Sequence, residues 1–346
     1  MKQRFEHLLR AAYELKASDL HLTVGVPPIM RINGELKKYG QEILRPEDTE
    51  AMAKVAISEK LWPQFQEKGE IDFSYGIPGV SRFRVNTYMQ RSCISMAIRV
   101  IPTKIPTIDE LRLPEVLKKI VTKPQGLVLV TGPTGSGKST TLAAMIDYMN
   151  KTMKKHIITL EDPIEYLHKH GNCIIDQREI GFDTNNFANG LRAALRQDPD
   201  VILVGEMRDL ETIHTAITAA ETGHLVFGTL HTSSAPDTIN RMIDVFPPEQ
   251  QQQIRIQLAS VLVAVISQRL FPMANKQGRI AATEILINNS AVANLIRNEK
   301  IHQIVSVMQT SKALGMHTLE SNIKELVQAG MIDRDIVEPY LQERGE

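Results

Sequence analysis

The residues best suited to chemistry stand in the segment GPTGSGKSTT, residues 132–141. This segment contains a complete G-x-x-x-x-G-K-[ST] pattern, in which Gly137 and Lys138 precede Ser139. Glycines allow successive backbone N–H groups to close around phosphate oxygens, and a following helix presents its positive N-terminus to the same anion. The apolar run GLVLVT before the pattern and the helix-forming TLAAMIDYM after it provide that context. The sequence therefore predicts a binding site for a nucleoside triphosphate.

The predicted site surrounds the phosphates with a lysine, hydroxyl groups and a glycine-rich backbone. Lys138 is expected to reach the β- and γ-phosphates, and Ser139 is expected to bind Mg²⁺. ATP and Mg²⁺ are therefore the predicted cofactors. The predicted nucleotide-binding residues are Gly132, Pro133, Thr134, Gly135, Ser136, Gly137, Lys138, Ser139 and Thr140.

Three further apolar runs end in polar side chains that could act on the same nucleotide. HIITLE ends at Glu161, VILVGE ends at Glu206 and LVFGTLH ends at His231. Continuous apolar runs are typical of a parallel sheet covered on both faces, and ligands bind at the carboxyl ends of its strands. Glu206 is predicted to position or activate the attacking water, with Glu161 beside it. His231 is predicted to contact the γ-phosphate and to distinguish ATP from ADP.

One position at these strand ends departs from the generic P-loop pattern, which ends its second-motif strand in Asp. Gly205 occupies that position, directly before Glu206. We therefore expect Mg²⁺ to be held by Ser139, the nucleotide and waters, with Glu161 or Glu206 acting through water.

A second histidine stands before the last of these runs. His224 precedes His231 by seven residues, which in a strand corresponds to about 23 Å. His224 is therefore expected near the opposite end of the strand, either as a turn residue between helix and strand or as a contact to another subunit.

Two strand-like segments in the first third of the chain carry arginines on one face. In SRFRVNTYM (81–89) and CISMAIRVI (93–101), polar and apolar positions alternate. This alternation predicts two antiparallel strands with one solvated face. Arg84 and Arg99 lie on that face. They are either ordinary solvated side chains or cations that close the nucleotide site.

The composition excludes several classes of protein. The chain has 346 residues, with 40 Lys and Arg against 40 Asp and Glu, so the basic excess of an electrostatic nucleic-acid binder is absent. Its 2 cysteines cannot form a four-thiolate zinc site. The N-terminus reads as an amphipathic helix, and the most apolar run, ASVLVAVIS (259–267), is too short to span a membrane. We expect a soluble, cytosolic protein with no zinc, whose membrane association comes through a partner.

A segment interrupted by Pro102, Pro106 and Pro114 separates two parts of the chain with different sequence patterns. Alternating polar and apolar positions precede this segment, and continuous apolar runs follow it. We predict an α/β protein in three parts: an N-terminal α+β domain (1–101), a linker (102–114) and a P-loop ATPase domain with a mainly parallel sheet (115–346). From about residue 236 helical periodicity dominates, and the last predicted helix, 318–329, ends before Gly330.

Taken together, the motifs resemble those of the secretion-type P-loop ATPases that power type IV pili and type II secretion. The resemblance covers essentially the whole chain and, within that family, is to the pilus-retraction ATPases of twitching motility. The motifs that carry it are SDLHL, RFRVN, GPTGSGKSTT, ITLEDPIEY, ALRQDPDVILVGEMRDLET and AAETGHLVFGTLHTSSA. The last three match the Asp box, the Walker B region and the His box of the family.

Membership of this family implies a fold and an assembly. The subunit would have an N-terminal PAS-like domain and a C-terminal RecA-like ATPase domain, and six subunits would form a ring. Hydrolysis would move the domains, and an inner-membrane platform protein would be the partner that holds the motor at the inner face of the membrane. Neither nucleic acid nor direct membrane insertion is expected.

The resemblance also implies roles for residues that match the family motifs. Glu206 would be the catalytic glutamate of Walker B, and Glu161 an acidic-box residue near the metal and phosphates. His224 would serve the subunit interface and His231 the phosphate. Arg84 and Arg99 match the N-terminal-domain arginines that contact the phosphates.

The choice of pilus retraction over assembly depends on two weaker features. Assembly motors are longer and usually carry a four-cysteine zinc motif, and retraction motors carry a C-terminal motif of the form AIRNLIRE. Here the motif reads AVANLIRN (291–298), so Ala293 replaces an arginine and Asn298 a glutamate, while Arg297 remains. Val292, Leu295 and Ile296 are predicted to pack from an amphipathic helix. The alternatives are an assembly or secretion ATPase, a RecA-like nucleic-acid translocase, and a nucleotide-gated switch without meaningful turnover.

Overall fold

The computed structural model describes residues 1–276 and 278–342. The chain divides into two compact units. Unit 1 comprises Met1–Lys104 and Glu165–Leu167, and unit 2 comprises Ile105–Ile164 and the chain from His168 onward. Within the described residues, no helix combines the length and the apolar character that crossing a bilayer requires.

Unit 1 is an α+β unit built on a six-stranded antiparallel sheet, in the order β3-β2-β1-β6-β5-β4. Its strands are β1 (Asp19–Leu22), β2 (Ile29–Ile32), β3 (Glu35–Lys38), β4 (Glu70–Ile77), β5 (Ser81–Gln90) and β6 (Cys93–Val100). Its helices are α1 (Lys2–Glu14), α2 (Pro46–Ala56) and α3 (Trp62–Lys68). The PAS-like assignment of this unit stays a prediction.

The alternating sequences of β5 and β6 form the antiparallel pair that the pattern predicted. Phe83 and Val85 are fully buried against α1 and its neighbours, whereas Arg84 and Arg99 are exposed. One face of the sheet thus builds the core of unit 1, because residues two apart in a strand share a face.

Unit 2 contains a seven-stranded sheet in the order β13-β12-β7-β11-β10-β8-β9, of which only β13 runs antiparallel to its neighbour. Its strands are β7 (Gly126–Thr131), β8 (His156–Glu161), β9 (Ile174–Glu179), β10 (Val201–Val204), β11 (Leu225–Leu230), β12 (Leu262–Pro272) and β13 (Arg279–Ile287). The predicted α/β class with a mainly parallel sheet is confirmed.

Helices pack on both faces of this sheet, which explains why β7, β10 and β11 are buried along their whole length. They are α4 (Val116–Ile120), α5 (Lys138–Thr152), α6 (Phe187–Ala194), α7 (Leu210–Glu221), α8 (Ala235–Asp244), α9 (Pro248–Val261), α10 (Ser290–Arg297), α11 (Ile304–Thr310), α12 (Leu319–Gln328) and α13 (Arg334–Gln342). Two short 3₁₀ turns, Ile301–Gln303 and Lys312–Leu314, complete the described elements.

The region from about residue 236 is less helical than its periodicity predicted. It contains β12 and β13, which form a hairpin and add β12 to the parallel sheet beside β7. The predicted linker, 102–114, also contributes to a core, since Ile108 and Leu113 are buried in unit 2. The predicted helix at 318–329 is α12, and Gly330 follows it with a left-handed φ of 68°.

Candidate active site

The phosphate loop of unit 2 joins β7 to α5, and its glycines are required by geometry. Gly137 has a φ of 89° and precedes the first residue of α5, Lys138. Gly132 has a φ of 145°, and a Cβ atom there would lie 2.4 Å from the backbone oxygen of Gln268. Side chains at these positions would strain or displace the loop. The backbone can therefore adopt the tight turn that a phosphate cradle needs.

Three features of the loop suit an anion. Lys138 Nζ donates to the carbonyl oxygens of Gly132, at 2.7 Å, and Pro133, at 3.2 Å, so its ammonium group is held over the loop. Ser136 Oγ is buried and has no hydrogen-bond partner among the described residues. The N-terminus of α5 adds a positive partial charge. A triphosphate would satisfy all three features.

Glu206 and His231 meet beyond the ends of two adjacent parallel strands, β10 and β11. His231 Nε2 lies 2.8 Å from Glu206 Oε1, and Arg208 Nε also contacts that oxygen. Because a carboxylate only accepts hydrogen bonds, the hydrogen in the first contact belongs to His231. The Glu206 side chain is only 21% exposed, whereas those of His231 and Arg208 are more open. The arrangement orients a carboxylate at the edge of the sheet where the phosphate loop begins.

Glu161 lies at the end of β8, next to β10. Its Oε1 accepts from Thr159 Oγ1 at 2.6 Å and from Gln177 Nε2 at 3.0 Å. Gln177 lies on β9, where it pairs in register with Thr159. The carboxylate of Glu161 is therefore fixed by its own strand and by the neighbouring one.

The structure explains why Gly205 replaces the usual aspartate. Its N–H donates to the carbonyl oxygen of Leu160 at 2.7 Å. A Cβ atom at Gly205 would lie 2.8 Å from that oxygen and 3.3 Å from the Cα of Glu161. The close approach of β8 and β10 leaves no room for a side chain at Gly205, and the carboxylates at these two strand ends belong to Glu161 and Glu206.

His224 lies at the other edge of the sheet, as its spacing predicted. It precedes β11, and its carbonyl oxygen accepts from the N–H of Gly126, the first residue of β7. His224 Nδ1 lies 3.0 Å from the carbonyl oxygen of Ala219 in α7. Within unit 2 this side chain is tied to a helix-to-strand turn and is not brought to Glu206.

Arg84 and Arg99 belong to unit 1, where they pair directly across β5 and β6. Arg99 Nε donates to Asp19 Oδ1 at 3.1 Å, and Asp19 pairs with Arg99 from β1. Arg84 is exposed, and its side chain has no hydrogen bond or ion pair within the described part of the chain. The pair forms a cationic spot on the solvated face.

Two side chains that form hydrogen bonds to residues of the site were not predicted from the sequence. One is Gln177, described above, and the other is Gln268 on β12, which contacts the phosphate loop. Each had a signal: Gln177 stands in a strand beside an acidic strand end, and Gln268 follows an apolar run, as Glu206 and His231 do. The apolar run before Gln268 lies in the region whose periodicity predicts helices, so the sequence pattern does not mark it as a strand.

A cavity of about 360 Å³ opens beside the phosphate loop and was also not predicted. Gly137 and Thr140 line it on the loop side. Leu270, Met273, Arg279 and Ile280 are among the residues on the other side. Its mixture of apolar and charged walls suits a base and a sugar attached to the bound phosphates.

Among residues 1–276 and 278–342, no group of three or more His, Cys, Asp and Glu side chains could hold a metal ion. Mg²⁺ characteristically uses one or two protein ligands together with waters and substrate phosphates. Ser139, in the first turn of α5, with Glu161 and Glu206 at the neighbouring strand ends, is a donor set of this kind.

The chain matches known proteins over nearly its whole length. A family model described as type II/IV secretion system protein matches residues 2–338. The type IV pilus retraction ATPase PilT of Pseudomonas aeruginosa is 50% identical over 328 residues, which are 95% of this chain and 95% of that protein. The twitching motility protein of Neisseria gonorrhoeae is 48% identical over 305 residues, 88% of this chain and 82% of that protein. A crystal structure of the pilus retraction motor PilT with bound ADP has 48% identity and a TM-score of 0.89, over 98% of this chain and 97% of that one.

Proposed function

Because the chain belongs to the type II/IV secretion system protein family, we propose that it is an ATP-hydrolysing motor that drives type IV pilus retraction and twitching motility. The observation that carries the ATPase assignment is the contact between Glu206 and His231 at the edge of the sheet where the phosphate loop begins. The 50% identity to a pilus retraction ATPase carries the choice of retraction.

In this proposal the phosphate loop binds the nucleotide and Glu206 acts on water. The backbone N–H groups of 132–140 and Lys138 Nζ bind the phosphates, as the positive end of α5 favours. Glu206 accepts a hydrogen bond from the attacking water and aligns it with the γ-phosphate. His231 holds the Glu206 carboxylate and senses whether the γ-phosphate is present. Ser139, and through water Glu161 or Glu206, would hold Mg²⁺, which would neutralise phosphate charge when bound.

The cavity beside Gly137 and Thr140 is proposed to receive the nucleoside. Arg84 and Arg99 are proposed to neutralise phosphate charge in the assembled motor, and His224 to serve a contact between subunits. We further propose that the motor is a homo-hexameric ring in the cytoplasm. It would associate with the inner face of the membrane through a platform protein of the pilus machine.

Three other functions remain distinguishable by experiment. An assembly or secretion ATPase of the same family would use the same site. A RecA-like translocase would be stimulated by single-stranded DNA, although a net charge of 0 and 5% aromatic residues offer no support for it. A nucleotide switch would turn over slowly and would be unaffected by Glu206→Gln.

Deletion of the gene, followed by imaging of pili, tests the proposal. Cells that carry pili but neither retract them nor twitch are the expected result, and the wild-type gene but not Lys138→Ala should restore motility. Cells without pili would instead indicate an assembly motor, and an unchanged phenotype would contradict both.

The proposed ring has its own test. We expect the ATPase rate per subunit to fall on dilution, since a site completed by a neighbouring subunit is lost in the monomer. A rate that stays constant down to monomer concentrations would contradict the ring.

A further inference from the structure

Gln268 contacts the phosphate loop at both of its ends. Gln268 is 2% exposed and lies on β12, which runs parallel to β7 with Ser267 beside Thr131. Gln268 Nε2 donates to the carbonyl oxygen of Ser136 at 2.7 Å. Its Oε1 accepts from Thr141 Oγ1, in the first turn of α5, at 2.9 Å. Its backbone oxygen faces Gly132 so closely that no side chain fits there.

The bond to Ser136 fixes the orientation of one peptide unit. In a trans peptide the C=O of one residue and the N–H of the next point in opposite directions. The peptide between Ser136 and Gly137 is trans, and its C=O is turned toward Gln268. The N–H of Gly137 is therefore turned away from the Gln268 amide, toward the side on which the loop would enclose an anion.

The bond also satisfies the carbonyl oxygen of Ser136, a residue that is only 3% exposed. A buried carbonyl without a partner is unfavourable, and the loop could relieve this by rotating the peptide toward solvent. Such a rotation would remove the Gly137 N–H from the phosphates. The amide of Gln268 suits the position because it offers one donor to Ser136 and one acceptor to Thr141 at the same time.

We propose that Gln268 is a positioning residue for nucleotide binding, which holds the Ser136–Gly137 peptide in the orientation that the phosphates require. This inference rests on the proposed function, since it assumes that the loop binds ATP and ADP. Because the same peptide faces the phosphates of both nucleotides, Gln268 acts on binding more than on the chemical step.

The test compares two variants that remove the donor with one that keeps it. Gln268→Met has a similar length and no hydrogen-bonding group, and Gln268→Glu keeps an acceptor for Thr141 but presents a carboxylate to the Ser136 oxygen. Thr141→Val is the matched control, because it removes the second bond of the same amide and leaves the bond to Ser136. Binding of ATP and ADP is measured by calorimetry, and KM and kcat are measured for ATP hydrolysis.

We expect both Gln268 variants to weaken ATP and ADP binding and to raise KM by about tenfold, the factor that one hydrogen bond to a buried group is worth. The value of kcat at saturating ATP should change less than about threefold, and Thr141→Val should change KM less than about threefold. The rise in melting temperature caused by saturating nucleotide is recorded within each variant, so a lower basal stability does not obscure the result.

The outcomes separate the inference from the function on which it rests. Unchanged nucleotide affinity in both Gln268 variants would overturn the inference while the parent still binds ATP. A fall in kcat alone, or equal losses in Thr141→Val and Gln268→Met, would overturn it as well, because either result indicates general disruption. A parent protein that binds neither ATP nor ADP would overturn the proposed function itself.

Discussion

Arg84 and Arg99 lie directly opposite each other on β5 and β6, so two positive side chains share one pair position of an antiparallel sheet. Like charges at such positions destabilise a sheet. Asp19 offsets the charge of Arg99 only, through an Nε–Oδ1 distance of 3.1 Å. An anion bound beside the two guanidinium groups would offset this repulsion, as the role proposed for the pair requires.

We expect Arg84→Ala and Arg99→Ala to slow ATP hydrolysis about tenfold or more, because charge that develops on the phosphates loses a cation. Nucleotide affinity should change less. The matched control is Arg31→Ala: Arg31 is on the same row of the sheet, opposite Asp19, and its Nη1 donates to the carbonyl oxygen of Gly34. Steady-state kinetics decide the question, and rates equal to the parent in both variants would leave Arg84 and Arg99 as ordinary solvated side chains.

Lys138→Ala should abolish measurable binding of ATP. The ammonium group is held over the loop by the carbonyl oxygens of Gly132 and Pro133, and the substitution removes that positive charge. Lys151→Ala is the control, because Lys151 lies in the same helix but is exposed and paired with Asp147. Calorimetric titration with a non-hydrolysable ATP analogue is the measurement. Affinity similar to that of the parent would remove the lysine from the site.

Glu206→Gln should keep ATP binding and lower turnover about a hundredfold or more, the scale of a lost general base. The amide retains the shape of the side chain and its contact with His231 but cannot take a proton from water. Glu211→Gln, on the exposed start of α7 where Glu211 pairs with Arg192, should hydrolyse ATP like the parent. Equal kcat for the Glu206 variant and the parent would favour a nucleotide switch over a motor.

His168 should make unit 2 less stable in acid. Burial lowers the pKa of His168 to about 4 from 6.5, although the nearby carboxylate of Asp147 acts in the opposite direction. The unfolded chain therefore binds a proton before the folded chain does, and the stability that neutral His168 contributes is present above pH 6.5 and lost as the pH falls toward 4. His168→Gln should flatten this dependence, as measured by chemical denaturation across that range.

Replacement of the exposed His302 by Gln serves as the control for that experiment and should leave the slope unchanged. Some dependence should remain in the His168 variant, because burial also lowers the pKa of His317. A slope identical to that of the parent would contradict the assignment to His168.

The residues that meet at the edge of the sheet could be predicted because each is encoded locally. A phosphate loop, or a carboxylate after a short apolar run, is visible within about ten residues of sequence. The place of β12 is not encoded in this way, since it lies beside β7 although more than 130 residues separate them. In addition, α9 ends at Val261 and β12 begins at Leu262, so one apolar run contains both a helix end and a strand start. From the sequence, Gln268 could therefore be recognised only as a polar residue that follows an apolar run, and its contact with the loop could not be inferred without the strand order.

The C-terminal motif illustrates the same limit. Val292 and Ile296 are fully buried and Leu295 packs beside them, as the amphipathic pattern predicted. Ala293, which stands where retraction motors have an arginine, is also buried at 8% exposure. The side chain of Ala293 therefore packs against the core of unit 2, which the sequence pattern alone did not indicate.

Gly205 should tolerate no side chain. In Gly205→Ala the new Cβ atom would lie 2.8 Å from the Leu160 carbonyl oxygen, so β8 and β10 must move apart where they present Glu161 and Glu206. We expect a loss of about 1–3 kcal/mol in the free energy of unfolding, as for other overpacked sites, together with a fall in kcat. Gly76→Ala is the matched control, because Gly76 also lies in a strand, has no positive φ and has nothing within 4 Å of an added Cβ. Denaturant unfolding and ATPase rates for the two variants provide the comparison. If Gly205→Ala proves as stable and as active as Gly76→Ala, the close approach of the strands does not explain the missing aspartate.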